Sequence, residues 1–231
     1  EAPNFEAFLQ QLQVRMDFCK VQGNDLARIC QLSQRTNQMN STQLRFANEE
    51  VLKEWMSENR FVLAVWVSDR YGNYGLVACA FCAILKPNLI VECCCMSCRV
   101  LHRGVEEALL AQVALESEMA DLEQVLIPCL PSPRNDLMRN FLNRVALWAE
   151  VPSFADGPSV TIGRHGARRG VTAPVMQVST EKLKELKGQH SREEVEDVEA
   201  ETIEIASTGQ SGYLGVDWSQ LLSVLAGKFR K

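Results

Sequence analysis

Ser97-Cys98-Arg99-Val100-Leu101-His102-Arg103-Gly104 is the stretch whose reading decides the fold class. An apolar run from Leu89 to Ser97 leads into it, and an apolar-periodic helix from Val105 to Met119, carrying Leu109, Leu110, Val113 and Ala114, leads out. Strand, glycine-containing loop and helix in that order create an anion site. The first N–H groups of the helix have no intrahelical partner, and its dipole turns a positive end toward the loop. A pyrophosphate fits such a place, with Arg99 and Arg103 supplying charge and Gly104 and Val105 supplying backbone.

Upstream, Met16 to Val21 reads as a strand, and Asn24-Asp25 offers a cap to a helix whose Leu26, Ile29, Cys30 and Leu32 share an apolar side. A second helix is predicted from Asn48 to Glu58. Phe61 to Val67 and Gly75 to Leu85 form a hairpin around Asp69-Arg70-Tyr71-Gly72-Asn73, and Pro87-Asn88 turns the chain into Leu89 to Ser97. These strands are apolar at nearly every position, which predicts central strands covered on both faces. Downstream come a strand from Gln124 to Cys129, a loop at Pro131-Ser132-Pro133, a helix from Asn135 to about Leu147, and strands near Ala149 to Phe154 and Val171 to Ser179. Pro128 has no N–H for a ladder, so one side of its strand is expected to stand open as a cleft.

With 231 residues, 46% hydrophobic and 23% charged, the chain can build one full core or one domain with an appendage. A formal charge of −5 gives the whole chain no electrostatic reason to seek nucleic acid or an anionic membrane. No apolar run is long enough to span a bilayer. The start at Glu1 lacks the features of a signal peptide and an initiator Met, which suggests a piece of something longer. Nine cysteines, an odd number with five clustered between Cys82 and Cys98, do not suit a secreted disulfide framework. Cys79 with Cys82 and Cys95 with Cys98 have zinc-knuckle spacing, but residues i and i+3 of a strand point to opposite faces. No metal is therefore expected, and the thiols read as buried groups in a reducing, cytoplasmic compartment.

The order strand, two helices, three antiparallel strands, loop, helix, strand, helix, strands is similar to the GNAT (acyl-CoA N-acyltransferase-like) fold. That is an α/β fold with a mixed, mostly antiparallel central sheet flanked by helices. Three runs narrow the likeness: Gln34-Arg35-Thr36-Asn37-Gln38-Met39-Asn40, Asp69-Arg70-Tyr71-Gly72-Asn73-Tyr74-Gly75-Leu76, and Ser97 to Glu106. They resemble the C-terminal domain of FkbH-like proteins, over roughly residues 10 to 180. The resemblance implies a transferase of polyketide biosynthesis that, with an upstream haloacid-dehalogenase-like (HAD-like) domain, places a glyceryl unit on an acyl carrier protein. It also implies coenzyme A or phosphopantetheine, bound at the loop and in a V-shaped split between the fourth and fifth strands. No D-x-D-x-[TV] phosphatase motif is present, so phosphoryl chemistry lies outside this chain.

The division expected is a linker or helix over 1–15, a GNAT-like domain over 16–180, an acidic linker over 181–212, and an amphipathic helix over 213–231 that presents Trp218, Leu221, Leu222, Leu225 and Phe229 on one face. Within the domain, Leu101 and Glu106 stand where the family's loop carries other residues, and Leu142 stands where GNAT enzymes often place a thiolate-protonating Tyr. The catalytic candidates are Cys98, as a nucleophile favoured by nearby cations, His102, as a base or anion ligand, and Asn135, near the expected cleft. Asn37 and Asn40 are candidates for orienting acyl hydroxyls or for capping a helix. Gly163 to Gly170 is a basic loop suited to a carrier protein. Three functions stay open: a glyceryl-handling, carrier-holding domain, an acetyl-CoA-dependent N-acetyltransferase, and a catalytically silent scaffold.

Overall fold

The computed structural model describes residues 12–162, 171–183 and 214–216. The expected α/β class is what they form. In chain order the elements are β1 (Arg15–Lys20), α1 (Leu26–Arg35), α2 (Glu49–Trp55), β2 (Arg60–Asp69), β3 (Gly72–Leu85), β4 (Asn88–Met96), α3 (Val105–Met119), β5 (Gln124–Pro128), α4 (Asp136–Ala149), β6 (Ser159–Ile162), β7 (Val171–Ser179) and β8 (Leu214–Val216). The sheet order is β6-β7-β5-β4-β3-β2-β1-β8. Every neighbouring pair is antiparallel except β4 and β5, which run parallel.

Two cores, one on each face of the sheet, explain why β3 and β4 lack alternation. Ile29 and Leu32 of α1 and Leu52 and Trp55 of α2 pack with Phe46, Phe81, Cys79, Cys93 and Cys95 on one face. Leu109, Leu110 and Val113 of α3 and Met138, Phe141 and Leu142 of α4 pack with Cys82, Cys94 and Met96 on the other. Cys79 and Cys82 thus lie on opposite faces, as strand geometry requires. Phe46, Trp55 and Phe81 form an aromatic trio with centroids 5.0–5.6 Å apart, within the range of favourable ring packing. Asn48 caps α2 by accepting the Val51 N–H at 3.0 Å.

Four expectations need correcting. No strand covers Ala149 to Phe154: α4 runs on to Ala149, Glu150 ends it in the left-handed region at φ 57°, and the strand that pairs with β7 is β6. Leu12 and Val14 are buried in the core and Arg15 opens β1, so the end of 1–15 belongs to the domain. Leu214–Val216, placed in a C-terminal helix, is a strand antiparallel to β1. The basic loop, the expected acidic linker beyond Leu183 and the helix from Asp217 lie outside the described residues, while Leu183 itself is buried in the core and so belongs to the domain.

One departure from a regular sheet positions everything that follows. β4 and β5 share only three registered pairs, Asn88 with Gln124, Leu89 with Val125 and Ile90 with Leu126, and then separate. Beyond that point, Pro128 has no N–H to offer toward β4, and β5 keeps its other partner, β7.

Candidate functional site

The split between β4 and β5 is filled by the chain itself. Met96 N–H donates to Met39 O at 2.9 Å, Ser41 N–H to Cys94 O at 3.0 Å, and Leu130 N–H to Ser41 O at 2.7 Å. Ser41 Oγ accepts the Cys94 N–H at 3.0 Å, and Thr42 Oγ1 donates to Glu92 O at 2.7 Å. Residues 39–42 therefore act as a short inserted strand, bonded to β4 on one side and to Leu130, two residues past β5, on the other.

Buried side chains lock this insert. Asn40 is wholly buried, accepting the Gln43 N–H at 2.7 Å and the Cys93 thiol at 3.2 Å. Asn135 donates from Nδ2 to Asn40 O at 3.1 Å and to Leu130 O at 3.0 Å, and accepts the Ser132 N–H at 2.9 Å. Asn135 is therefore a buried brace with its amide committed to the backbone, which corrects its expected place among reacting groups. Asn40 likewise braces the insert and faces no acyl group.

In front of the insert lies a cavity of about 930 Å³ between α1, the end of β4 and the start of α4. Arg28, Arg35, Arg99 and Arg134 line it, together with Cys98 and Asn37. Arg28 and Arg35 are seven residues apart on α1, two turns, which puts them on one side. Arg28 is half-buried and braced, with Nε donating to Leu76 O at 3.2 Å and Nη1 to Gln31 Oε1. Burial first, then the nearby Arg99 and Arg35 guanidiniums, hold Arg28 below its ordinary pKa, so three cations converge here. The one acid in the described lining, Asp136, pairs with Arg139. Cys98 is the exposed thiol among the described cysteines; the others are buried or half-buried.

The loop before α3 is built differently from the anion site expected of it. Gly104 takes the left-handed conformation at φ 75°, and His102 does so at φ 60°. Glu106 turns back so that its Oε1 accepts the His102 N–H at 3.2 Å, which places a carboxylate where an anion would sit. Arg103 turns away: it pairs with the fully buried carboxylate of Asp69 and donates to the Tyr74 hydroxyl at 2.9 Å. Burial alone would raise the Asp69 carboxyl, but the Tyr71 N–H, the Tyr74 hydroxyl and Arg103 outweigh it and leave it below its ordinary value. Arg103 is thus a clasp between the β2–β3 turn and the loop, a correction to its expected role as a phosphate ligand. Val105 is wholly buried, and His102 is exposed on the loop without lining the cavity.

Coenzyme A does not fit here in the manner the resemblance implies. Its arm would need the β4 edge, which residues 39–41 occupy, and its pyrophosphate would meet the Glu106 carboxylate. Leu142 is buried and offers no proton to a thiolate. Among the described residues, no group of three or more His, Cys, Asp or Glu side chains is arranged to hold a metal ion, and no helix is long and apolar enough to cross a membrane.

Two carboxylates at the start of α3 carry a pH dependence. Burial holds Glu106 above its ordinary value. Glu107 is pushed up to about 7 by burial first and by Glu106 second, with Arg144 4.0 Å away pulling against them. The folded state keeps a proton on Glu107 that the unfolded chain releases at its ordinary value of 4.5. Stability from this group is complete below that value and is lost as pH rises through about 7. Glu107→Gln is therefore expected to exceed the native chain in stability by roughly 2 kcal/mol at pH 8 and to match it near pH 4, as read by urea unfolding.

Arg28, Arg35, Arg134 and the 39–42 insert were not marked as site residues by the sequence reading, whereas Cys98 and Arg99 were. No family model and no curated protein matches the chain. Among solved structures it is similar to the ribosomal-protein-S18-alanine N-acetyltransferase from Escherichia coli, at 14% identity over 71% of this chain and 94% of that one, with a TM-score of 0.46. It is also similar to spermidine N-acetyltransferase from Vibrio cholerae, solved in complex with CoA and spermine, at 14% identity over 74% of this chain and 98% of that one, with a TM-score of 0.46.

Proposed function

We propose that this domain handles an acyl group on Cys98 and exchanges it with the phosphopantetheine thiol of an acyl carrier protein, in the glyceryl-loading setting of FkbH-like proteins. The observation that carries the reading is the placement of one exposed thiol on the wall of an arginine-lined cavity, beside a split that the chain has closed with its own residues. In the exchange, the Cys98 thiolate attacks the carbonyl carbon of the incoming thioester. A C–S bond forms to Cys98 as the C–S bond to pantetheine breaks, and the departing thiolate takes up the proton Cys98 released. Arginines around the opening attract an acidic carrier and its phosphate. An upstream HAD-like domain would supply the activated glyceryl unit.

Two measurements separate this reading from its rivals. Incubated with a glyceryl-loaded or acetyl-loaded carrier protein, the full chain is expected to gain the acyl mass in intact-protein mass spectrometry. A folded chain that gains none from either carrier overturns the reading and leaves a silent scaffold. Incubated with acetyl-CoA and a primary-amine acceptor, a polyamine or a peptide with a free N-terminus, the chain is expected to form no N-acetylated product. Catalytic accumulation of the N-acetylated amine would favour acetyl-CoA-dependent N-acetylation instead.

A further inference from the structure

The GNAT resemblance puts a phosphate-binding place at the loop before α3, and in this chain that place has been given away. The Glu106 carboxylate takes the His102 N–H, and Arg103 is committed to Asp69 and Tyr74. The cations without carboxylate partners lie elsewhere. Arg35, Arg99 and Arg134 form no ion pair among the described residues, and all three line the cavity that holds Cys98. Like charges gathered at one opening repel one another, an arrangement that an anion relieves. Arg99 is aimed by Ser97, whose Oγ accepts the Arg99 N–H at 3.4 Å and its Nε at 3.3 Å. Arg28, held by Leu76 O and Gln31, backs them from the α1 wall.

We infer that Arg35 and Arg99, backed by Arg28 and faced by Arg134, form a phosphate-binding subsite in the Cys98 cavity, separate from the loop before α3. The inference rests on the acyl-handling reading for its purpose, because a phosphate held here brings the group attached to it to Cys98. Guanidinium suits a phosphate because its fork donates two parallel hydrogen bonds and keeps its charge at all working pH. About 930 Å³ is room for a phosphate together with the chain that it carries. Two sources share this chemistry, the phosphodiester of a carrier-bound pantetheine arm and a free phosphorylated compound.

Calorimetric titration of the full chain with 4′-phosphopantetheine, pantetheine and inorganic phosphate tests the subsite. Phosphopantetheine is expected to bind at least about tenfold tighter than pantetheine, which differs only by the phosphate. Arg35→Gln and Arg99→Gln, both at exposed residues and so expected to melt like the native chain, should each weaken phosphopantetheine about five- to tenfold and leave pantetheine unchanged. Arg15→Gln, at an exposed position of β1 away from the cavity, should change neither. Inorganic phosphate that displaces phosphopantetheine at comparable concentration assigns the subsite to a free phosphorylated compound; displacement only at far higher concentration assigns it to the arm. Equal binding of phosphopantetheine and pantetheine, or variants that bind like the native chain, overturn it. An acyl adduct on Cys98 without phosphate preference would sink the subsite alone, and phosphate preference without an adduct would sink the acyl transfer alone.

Discussion

Cys98→Ala is expected to abolish acyl capture while leaving the fold as it is. The side chain is exposed, and the short turn it opens is held by its neighbours: Ser97 Oγ accepts the Arg99 N–H, and Cys98 contributes only its carbonyl, to the Leu101 N–H at 3.4 Å. Exposed substitutions of this kind stay within about 0.5 kcal/mol, so the melting temperature should move by no more than a few degrees. The thiols buried in the sheet cannot stand in. Cys79, Cys82, Cys93, Cys94 and Cys95 are buried in the two cores, and burial pushes Cys82 and Cys94 far up and Cys129 up to about 12. A thiol that stays protonated and out of reach is a poor nucleophile. Intact mass after incubation with the loaded carrier checks this directly, with complete loss of the adduct expected.

Asn135→Ala is expected to cost roughly 2 kcal/mol in denaturant unfolding, because the change takes a partner from three backbone groups at once. Asn40 O, Leu130 O and the Ser132 N–H lose this partner, the first in the buried interior and the other two where the site is half-buried. A buried group left unpaired costs about 1–3 kcal/mol, and partial relaxation keeps the sum below the maximum. Because Asn135 ties the insert to the start of α4, amide exchange at Ser41 and Met96 should speed up more than exchange in the β2–β3 hairpin. A variant with native stability would mean that the insert is held by its backbone bonds alone.

Much of this architecture could be read from the residues because local rules and burial agree. Leu26, Ile29, Cys30 and Leu32 keep helical spacing and are all buried, and β3 and β4 are apolar throughout because each face has its own pair of helices. Pro128 marked the open side of β5. What filled that side was not legible. Residues 39–42 carry no strand pattern of their own; their conformation comes from β4, Leu130 and Asn135, contacts far apart in sequence. The loop misled for a similar reason. Gly104 and the helix after it look like an anion site, but Glu106 folds back onto the His102 N–H, and where Arg103 turns depends on Asp69 and Tyr74, about thirty residues earlier. Arg28 and Arg35 left a weak mark, a seven-residue spacing on one helix, which acquires meaning only once Arg99 and Arg134 are seen across the cavity.

If the chain itself closes the split, acyl chemistry belongs to the cavity at Cys98. Amide hydrogen exchange at Ser41, Cys94, Met96 and Leu130, with and without saturating coenzyme A, tests that most directly. Slow exchange at all four positions, unchanged by the ligand, is the predicted result. Fast exchange in the free chain that becomes slow with coenzyme A would contradict it, because the insert would then be a gate and the β4 edge a cofactor site.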